Sequence, residues 1–198
     1  MTASRFRIDW QTEVGHLAAI EPSLDEVTAH AEELAAGYND PRNAELMGHT
    51  EPMSVDEVVD HYDAAIEEGV RSFLLFVDGA LVGDGDLRGA RGSAAEFAFM
   101  IAAPSIQGKG LGTRFAVMLH AFGFAQLGLD RIYASVVPHN VASRRVFEKI
   151  GYRLDDGPEA RSYADEPGDV TLVLDRATFK RIHTVALEQI QISDRSPQ

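Results

Sequence analysis

The sequence has no cysteine among its 198 residues, and this absence excludes several kinds of chemistry. A chain without thiols forms no disulfide, binds no zinc through cysteine and has no thiolate nucleophile. Its first ten residues, MTASRFRIDW, also lack the apolar run of a secretory signal peptide. We therefore expect a cytoplasmic protein.

Long apolar runs and clustered basic charge are scarce as well. Residues 97–108 form an uncharged stretch of 12 residues that includes a proline, whereas a membrane-spanning helix needs about 20 apolar residues. Lys and Arg together number 18 against 31 Asp and Glu, and the formal net charge is −13. Because nucleic-acid binders need clustered Lys and Arg, we expect neither a nucleic-acid partner nor a membrane segment.

Two further patterns are missing. The seven histidines include no pair four residues apart, the usual spacing of two metal ligands on one helix. A Gly-x-Ser-x-Gly elbow, which carries the nucleophile of many serine hydrolases, is also absent. We expect no metal cofactor and no serine hydrolase chemistry.

The negative charge is concentrated in one part of the chain. Residues 21–68 carry fourteen acidic residues and one basic residue, which accounts for the whole net charge. Residues 107–149 carry six basic residues against two acidic ones. The first segment suits cations and the second suits anions, although two solvated helix faces would also explain the acidic segment.

The order of predicted elements indicates an α/β domain. Capping boxes at Ser23 with Glu26 and at Ser54 with Glu57 predict two helix starts, and Asp78-Gly79 predicts a hairpin turn. The expected strands are residues 14–20, 72–77, 80–87, 95–102, 131–137, 152–154 and 170–174, and the expected helices are residues 23–36, 54–68, 111–128 and 140–150. No linker divides the chain, so we expect one domain over residues 1–176 and a C-terminal extension over residues 177–198, first helical and then disordered.

The most informative segment is the loop Gln107-Gly-Lys-Gly-Leu-Gly-Thr113, between an apolar strand and an amphipathic helix. Glycines let main-chain N–H groups approach an anion, and a helix N-terminus presents further unpaired N–H groups. The spacing differs from a P-loop, and Thr113 stands where a dinucleotide fingerprint needs its third glycine. The segment therefore predicts a phosphate cradle, with a tight turn without ligand as the alternative.

Together with Asn140-Val-Ala-Ser-Arg-Arg-Val-Phe-Glu-Lys-Ile-Gly-Tyr152, this loop resembles the motifs of GCN5-related N-acetyltransferases, the GNAT superfamily, in its RimJ/RimL-like branch. The resemblance implies a GNAT fold: a mixed, mostly antiparallel sheet of six to seven strands, splayed between strands four and five, with helices on both faces. It also implies acetyl-CoA as donor co-substrate and an amine as acceptor, joined in a ternary complex.

The resemblance assigns the donor site to main-chain groups. Amides from Gly108 to Thr113 would bind the diphosphate, helped by Lys109 and Arg114, and Asn140 would contact the pantetheine arm or act only as a helix cap. One N–H of the splayed strand would face the thioester oxygen, a contact worth roughly 3–4 kcal/mol in comparable sites. The predicted cofactor-binding residues are Phe99, Met100, Ile101, Gln107, Gly108, Lys109, Gly110, Leu111, Gly112, Thr113 and Asn140.

Two residues are the catalytic candidates. Glu96 is the single charged residue of its apolar strand and is the predicted general base; a carboxylate paired with an arginine is the alternative. The family glutamate usually lies one residue nearer the loop, so Glu96 serves only if a β-bulge corrects its direction. Phe147 stands where many family members have a tyrosine that serves as general acid. Ser143 could hydrogen-bond the departing sulfur instead, or bond within its own helix. Tyr133 is a weaker substitute for the missing tyrosine.

The sequence thus predicts an acetyl-CoA-dependent N-acetyltransferase. Its acceptor would be the primary amine of a cationic small molecule or peptide: a protein N-terminus, a basic peptide, a polyamine or an aminoglycoside. A non-catalytic acetyl-CoA sensor or scaffold is the alternative, and a longer acyl chain, an alcohol acceptor and a homodimer stay open.

Overall fold

The computed structural model describes residues 4–48, 51–102 and 107–195 of the chain. Within these residues nine strands form one sheet in the order β7-β8-β6-β5-β4-β3-β2-β1-β9. The strands are β1 Phe6–Thr12, β2 Gly15–Ile20, β3 Arg71–Val77, β4 Ala80–Arg91, β5 Ala94–Ile101, β6 Arg131–Val136, β7 Arg153–Leu154, β8 Val170–Asp175 and β9 Gln191–Asp194. The helices are α1 Leu24–Tyr38, α2 Pro41–Met47, α3 Val55–Glu67, α4 Leu111–Ala125, α5 Val141–Ile150, α6 Pro158–Arg161, α7 Arg176–Ile182 and α8 Thr184–Gln189.

Both faces of the sheet are covered because neighbouring residues of a strand point to opposite sides. In β3, Phe73 and Leu75 lie in the large core that contains α4, whereas Leu74 lies in a second core with residues of α1 and α3. Eleven of the fifteen residues of α4 are buried, which explains why this helix is apolar on nearly all sides. None of the described helices is long and apolar enough to cross a membrane.

The two predicted capping boxes are confirmed. Ser23 accepts the amide of Glu26 and the Glu26 carboxylate accepts the amide of Ser23, and the pair Ser54 and Glu57 repeats this arrangement. Each box satisfies amides that a helix N-terminus leaves unpaired. The positions of α1 and α3 are therefore encoded locally.

The sheet is mostly antiparallel, as predicted, but it has nine strands where the sequence analysis expects six to seven. β5 and β6 are parallel and pair over three positions that end at Glu96 opposite Tyr133. Beyond Glu96 the two strands separate, which confirms the predicted splay. The predicted strands four and five are β5 and β6 here, because β1 was not among the predicted strands. β1 was missed although its residues alternate between apolar and polar side chains from Phe6 to Gln11, a pattern that by itself predicts a strand.

The C-terminal segment adds two short helices and an edge strand. Phe179 of α7 is fully buried in the large core, and β9 pairs with β1 over four positions. Arg195 then bonds the Glu26 carboxylate at 2.5 Å. Disorder was predicted after a helical part, whereas residues 191–194 form β9. The division into 1–176 and 177–198 stays a prediction.

Candidate active site

In the described parts of the chain, the main-chain amides of the glycine loop find no acceptor. Gly108 and Gly110 have φ angles of 80° and 77°, which a residue with a side chain rarely adopts. Arg114 is the first residue of this region whose amide bonds a preceding carbonyl, that of Gly110 at 3.2 Å. The amides from Gly108 to Thr113 donate to no acceptor in the described parts of the chain. Because they lie at the positive end of α4, they suit a diphosphate.

These amides border a cavity of about 330 Å³ between β5, α4 and α5, here called the loop cavity. The predicted residues that line it are Phe99, Met100, Ile101, Gln107, Gly108, Gly110, Leu111, Gly112, Thr113, Asn140 and Ser143. Lys109 is exposed and is not part of the lining. The structure therefore brings together the predicted donor-site residues with one exception, and their role in binding stays a prediction.

Gly112 is required by close packing. A Cβ atom at this position would lie 2.9 Å from the ring of Phe99, closer than side chains normally approach. The glycine lets the first turn of α4 approach β5, so the row of amides lies beside the open edge of the splayed strand.

The Gln107 side chain holds the loop through two hydrogen bonds, and its predicted role in binding the donor stays a prediction. Its Nε2 donates to the carbonyl of Ile101 at 2.9 Å and to Oδ1 of Asn43 at 3.1 Å. Asn43 is 4% exposed, and its Nδ2 donates to the carbonyls of Gly37 and Ala102. Asn43 thus ties α1, α2 and β5 to the loop. It was missed because an asparagine within a short helix has no pattern that distinguishes it.

Asn140 and Ser143 lie where α5 begins. Asn140 caps the helix by accepting the Ser143 amide at 2.9 Å, and its Nδ2 donates to the carbonyl of Leu46 at 3.0 Å. Among the described residues the Ser143 hydroxyl has no hydrogen-bond partner, so the alternative bond within its own helix is not formed. Ser143 is therefore available to a group in the cavity.

Positive charge at the loop cavity comes from α5. Arg145 and Lys149 both line the cavity. Arg114, which was expected to add charge there, instead bonds the carboxylate of Glu13 and the carbonyl of Gly110. Glu13 lies in the turn between β1 and β2, so sequence distance concealed this contact.

A second cavity of about 430 Å³ joins the first and is here called the acidic cleft. The residues common to both cavities are Leu46, Met47, Phe99, Met100, Asn140 and Ser143. Five carboxylates line the acidic cleft: Asp84, Asp86, Asp165, Glu166 and Asp169. Arg88 and His61 are also part of its lining.

The origin of these carboxylates corrects the charge argument made from the sequence. Residues 21–68 carry the whole excess of negative charge and were expected to suit cations. The described residues of that segment which line the acidic cleft are Tyr38, Leu46, Met47, Gly48, Met53 and His61, and none is a carboxylate. The acidic side chains come from β4 and from the loop before β8.

Asp84 is held by two tyrosines. Its Oδ2 accepts the hydroxyl of Tyr62 at 2.9 Å and the hydroxyl of Tyr38. Burial raises the pKa of Asp84, and burial followed by the charge of Asp84 raises the pKa of both tyrosines. Asp84 therefore ties α1 and α3 to the cleft floor.

Glu96 is paired with Arg88, which is the alternative considered for it. The Arg88 Nε lies 3.1 Å from the Glu96 carboxylate, and Arg88 Nη2 lies 3.3 Å from that of Asp165. Glu96 is 6% exposed and does not line the acidic cleft. The β4–β5 register is unbroken from Glu96 to Ile101, so the bulge that its catalytic role requires is absent from this stretch.

Asp86 lies next to the ion pair of Arg88 and Glu96 but accepts no hydrogen bond from Arg88. Its Oδ1 is buried and accepts no hydrogen bond from the described residues, and the Arg88 Nε lies 3.9 Å away. Burial raises the pKa of Asp86 to about 7. The sequence signal that could have found it is the Gly-Asp-Gly-Asp run of residues 83–86, in which glycines alternate with carboxylates along β4.

Tyr133, which was named from the sequence as a substitute general acid, lies away from the proposed site. The Tyr133 ring stacks on Tyr163, its hydroxyl accepts from Arg131 at 3.2 Å, and burial raises its pKa to about 12. Tyr133 lines neither cavity. Phe147 lines the acidic cleft and packs against Phe97 and Phe99, an apolar role that fits its lack of a hydroxyl.

Comparison with known proteins bears on this site. A family model described as an acetyltransferase (GNAT) domain matches residues 24–153, about two thirds of the chain. The spermidine N(1)-acetyltransferase of Escherichia coli (strain K12) is 32% identical over 102 residues, which cover 50% of this chain and 54% of that protein. The chain thus spans about half the length of this curated relative.

Solved structures share the fold. Mycobacterium smegmatis RimJ in complex with CoA-disulfide has a TM-score of 0.69 at 19% identity, covering 96% of this chain and 97% of RimJ. Spermidine N-acetyltransferase from Vibrio cholerae in complex with CoA and spermine has a TM-score of 0.66 at 20% identity, covering 82% of this chain and 96% of that protein. The resemblance drawn from the two sequence motifs is confirmed.

Proposed function

Because the chain belongs to the GNAT family of acetyltransferases, we propose that it transfers an acetyl group from acetyl-CoA to a primary amine of a cationic acceptor by direct attack. The observation that carries this proposal is the junction of two unlike cavities. A cavity bordered by amides that donate to no acceptor among the described residues adjoins a cleft lined by five carboxylates, and the two share Phe99, Met100 and Ser143.

The loop cavity is the donor site in this proposal. The amides from Gly108 to Thr113 match the charge of a diphosphate, and Arg145 and Lys149 add positive charge beside them. The edge of β5 beyond Glu96 has no strand partner and suits the amides of a pantetheine arm. Acetyl-CoA bound there supplies an acetyl group activated as a thioester.

The acidic cleft is the acceptor site. Carboxylates that line a cavity raise the local concentration of cations, and an ammonium group also gains hydrogen bonds from them. A polyamine, an aminoglycoside, a basic peptide or a protein N-terminus would carry the required charge. Proteins similar to this chain include enzymes named for spermidine and for aminoglycosides, which fits the same class of acceptor.

The direct test is release of CoA in the presence of acetyl-CoA and a panel of acceptors. Because the chain has no cysteine, a thiol reagent would report the released CoA without background from the protein. We expect turnover with spermidine, an aminoglycoside or a basic peptide, and slower turnover at high salt. Equal rates with acidic acceptors, insensitive to salt, would contradict the role of the carboxylates.

The donor site is tested by two matched glycine substitutions. Gly108 and Gly128 both have positive φ angles, and a Cβ at either position would meet no atom within 4 Å. Gly108→Asp would place a negative charge beside the diphosphate, whereas Gly128→Asp carries the same backbone strain away from the cavity. We expect Gly108→Asp to weaken acetyl-CoA binding at least tenfold in calorimetry and Gly128→Asp to leave it unchanged.

The same measurements separate the enzyme from the sensor alternative. A sensor would bind acetyl-CoA, lose that binding in Gly108→Asp, and release no CoA with any acceptor. An enzyme would show both binding and release. If neither the unsubstituted protein nor its variants bind acetyl-CoA, the proposed donor site is wrong.

A further inference from the structure

We propose that Asp86, and not Glu96, is the general base that accepts a proton from the ammonium group of the acceptor. This inference rests on the proposed acetyl transfer and assigns its proton acceptor. It makes positioning residues of Arg88, which lines the cleft, and of Glu96, which is paired with Arg88.

The first argument is position. Asp86 lines the acidic cleft and lies opposite Ala98 in the β4–β5 ladder. Met100, two residues along β5 from Ala98 and therefore on the same face of the sheet, lines both cavities and marks their junction. Asp86 is thus placed beside the point where an acceptor amine would meet the donor.

The second argument is availability. Asp84 is bonded by two tyrosine hydroxyls, Glu96 is paired with Arg88, and Asp169 accepts the hydroxyl of Ser135 at 2.8 Å. Asp86 differs from them because its Oδ1 is buried and accepts no hydrogen bond from the described residues. A buried acceptor atom without a donor loses free energy, so a ligand that brings a donor is favoured there.

The third argument is the charge environment. The charged and titratable groups around Asp86 are Asp84 and Arg88 on β4, Glu96 on β5, Asp165 before β8, Tyr38 on α1, and His61 and Tyr62 on α3. Burial has the largest effect and raises the pKa of Asp86 to about 7, the neighbouring carboxylates act in the same direction, and Arg88 opposes them. A base titrating near neutral pH is well matched to general base catalysis.

The step balances as follows. The ammonium N–H bond breaks and its proton goes to Asp86, which leaves a neutral amine. The amine nitrogen forms a bond to the acetyl carbon while the carbon–sulfur bond breaks. The nitrogen then loses its second proton, which passes through water to the departing sulfur while the Ser143 hydroxyl donates a hydrogen bond to that sulfur, and Asp86 releases its proton to solvent.

The test compares the pH–rate profiles of Asp86→Asn and Glu96→Gln with that of the unsubstituted protein, using spermidine at saturating acetyl-CoA. We expect an acidic limb near pH 7 in the unsubstituted protein. Asp86→Asn should remove that limb and lower kcat at least 100-fold at pH 7. The loss should shrink towards pH 10, where an amine with a pKa of about 10.4 begins to lose its proton unaided.

Glu96→Gln should keep the limb and move it to lower pH. Removing the Glu96 charge removes one carboxylate that raises the pKa of Asp86 and leaves Arg88 free to approach it. Acetyl-CoA affinity and the melting temperature of both variants serve as checks that the fold and the donor site persist.

The outcomes are distinct. If Asp86→Asn keeps the limb while Glu96→Gln loses it, Glu96 is the base and the inference is overturned. A uniform loss of rate at every pH in Asp86→Asn would show a structural role and would also overturn it. If the unsubstituted protein releases no CoA with any amine, the proposed function fails first.

Discussion

The loop cavity and the acidic cleft adjoin one another but recognise ligands by opposite means. The loop cavity offers main-chain amides that are nearly contiguous in sequence, from Gly108 to Thr113, with Arg145 and Lys149 beside them. The acidic cleft offers side chains from β4, from α1 to α3 and from residues 165–169, which lie up to 131 residues apart between Tyr38 and Asp169. One site is local in sequence and the other is assembled by the sheet.

This difference teaches which part of a site a sequence can reveal. Main-chain recognition needs glycines and a helix start, and both leave a pattern in a short segment. Side-chain recognition needs only that suitable residues meet in space, and the meeting depends on strand order and register. Substitutions at Asn43, Asp86, Glu166 and Lys149 test this contrast.

Asn43→Ala tests whether the loop cavity also depends on tertiary contacts. It would leave the carbonyls of Gly37 and Ala102 without their donor and free the side chain of Gln107. We expect a loss of about 3 kcal/mol in the free energy of unfolding, from several unsatisfied buried groups, and weaker acetyl-CoA binding. Denaturant unfolding and calorimetry would measure both.

Asn39→Ala is the matched control for this change. Asn39 also makes two side-chain hydrogen bonds, both to Met53, but it is exposed. We expect a loss of about 1 kcal/mol and unchanged acetyl-CoA affinity. An equal loss of affinity in both variants would mean that Asn43 has no special link to the loop.

Asp86→Asn should stabilise the protein at alkaline pH, in contrast to its effect on activity. The pKa of Asp86 is raised from 3.8 to about 7, so the stability contributed by this group falls as the pH rises through that window. An amide has no charge to bury. We expect a gain of about 2 kcal/mol at pH 8 and none at pH 3.5, measured by denaturant unfolding at both values.

The exposed residue Asp63 on α3 provides the comparison for that gain. Asp63→Asn removes the same charge without relieving burial, so its stability should change little at either pH. Destabilisation by Asp86→Asn at pH 8 would show that the carboxylate makes a favourable contact in the native state.

Glu166→Gln tests the charge of the acidic cleft. Because Glu166 lines the cleft, its loss should raise the KM for a cationic acceptor about fivefold at low salt, an effect that fades near 1 M salt. Glu67→Gln removes the same charge from the exposed surface of α3 and should leave this KM unchanged. Similar effects of Glu166→Gln and Glu67→Gln on KM would show that the acidic helices within residues 21–68 attract the cationic acceptor.

Lys149→Gln is expected to have the smallest effect. Lys149 lines the loop cavity as a flexible point charge, so its removal should weaken acetyl-CoA binding about threefold in a salt-dependent way. Lys180→Gln, at the exposed end of α7, is the control and should not change this affinity. Calorimetry at two salt concentrations would distinguish them.

Several elements of the fold could be predicted because their causes are local. The capping boxes at Ser23 and Ser54 and the Asp78-Gly79 turn each depend on residues within one or two turns of chain. β9 was missed because it is short and has no strong pattern of its own, whereas α2 was missed although Asp40, Pro41 and Gly48 are the signals of a helix start and end. β9 forms because β1 offers it an unpaired edge.

The sequence by itself determined the glycine loop, the helix that follows it and the family to which the chain belongs, since these depend on residue types at fixed spacing. The pairing of Arg88 with Glu96, the Asp86 oxygen that accepts no hydrogen bond from the described residues, and the origin of the cleft's described carboxylates outside residues 21–68 became visible only in three dimensions. Charge pairing and burial depend on distances across strands, and no pattern within one segment encodes such distances.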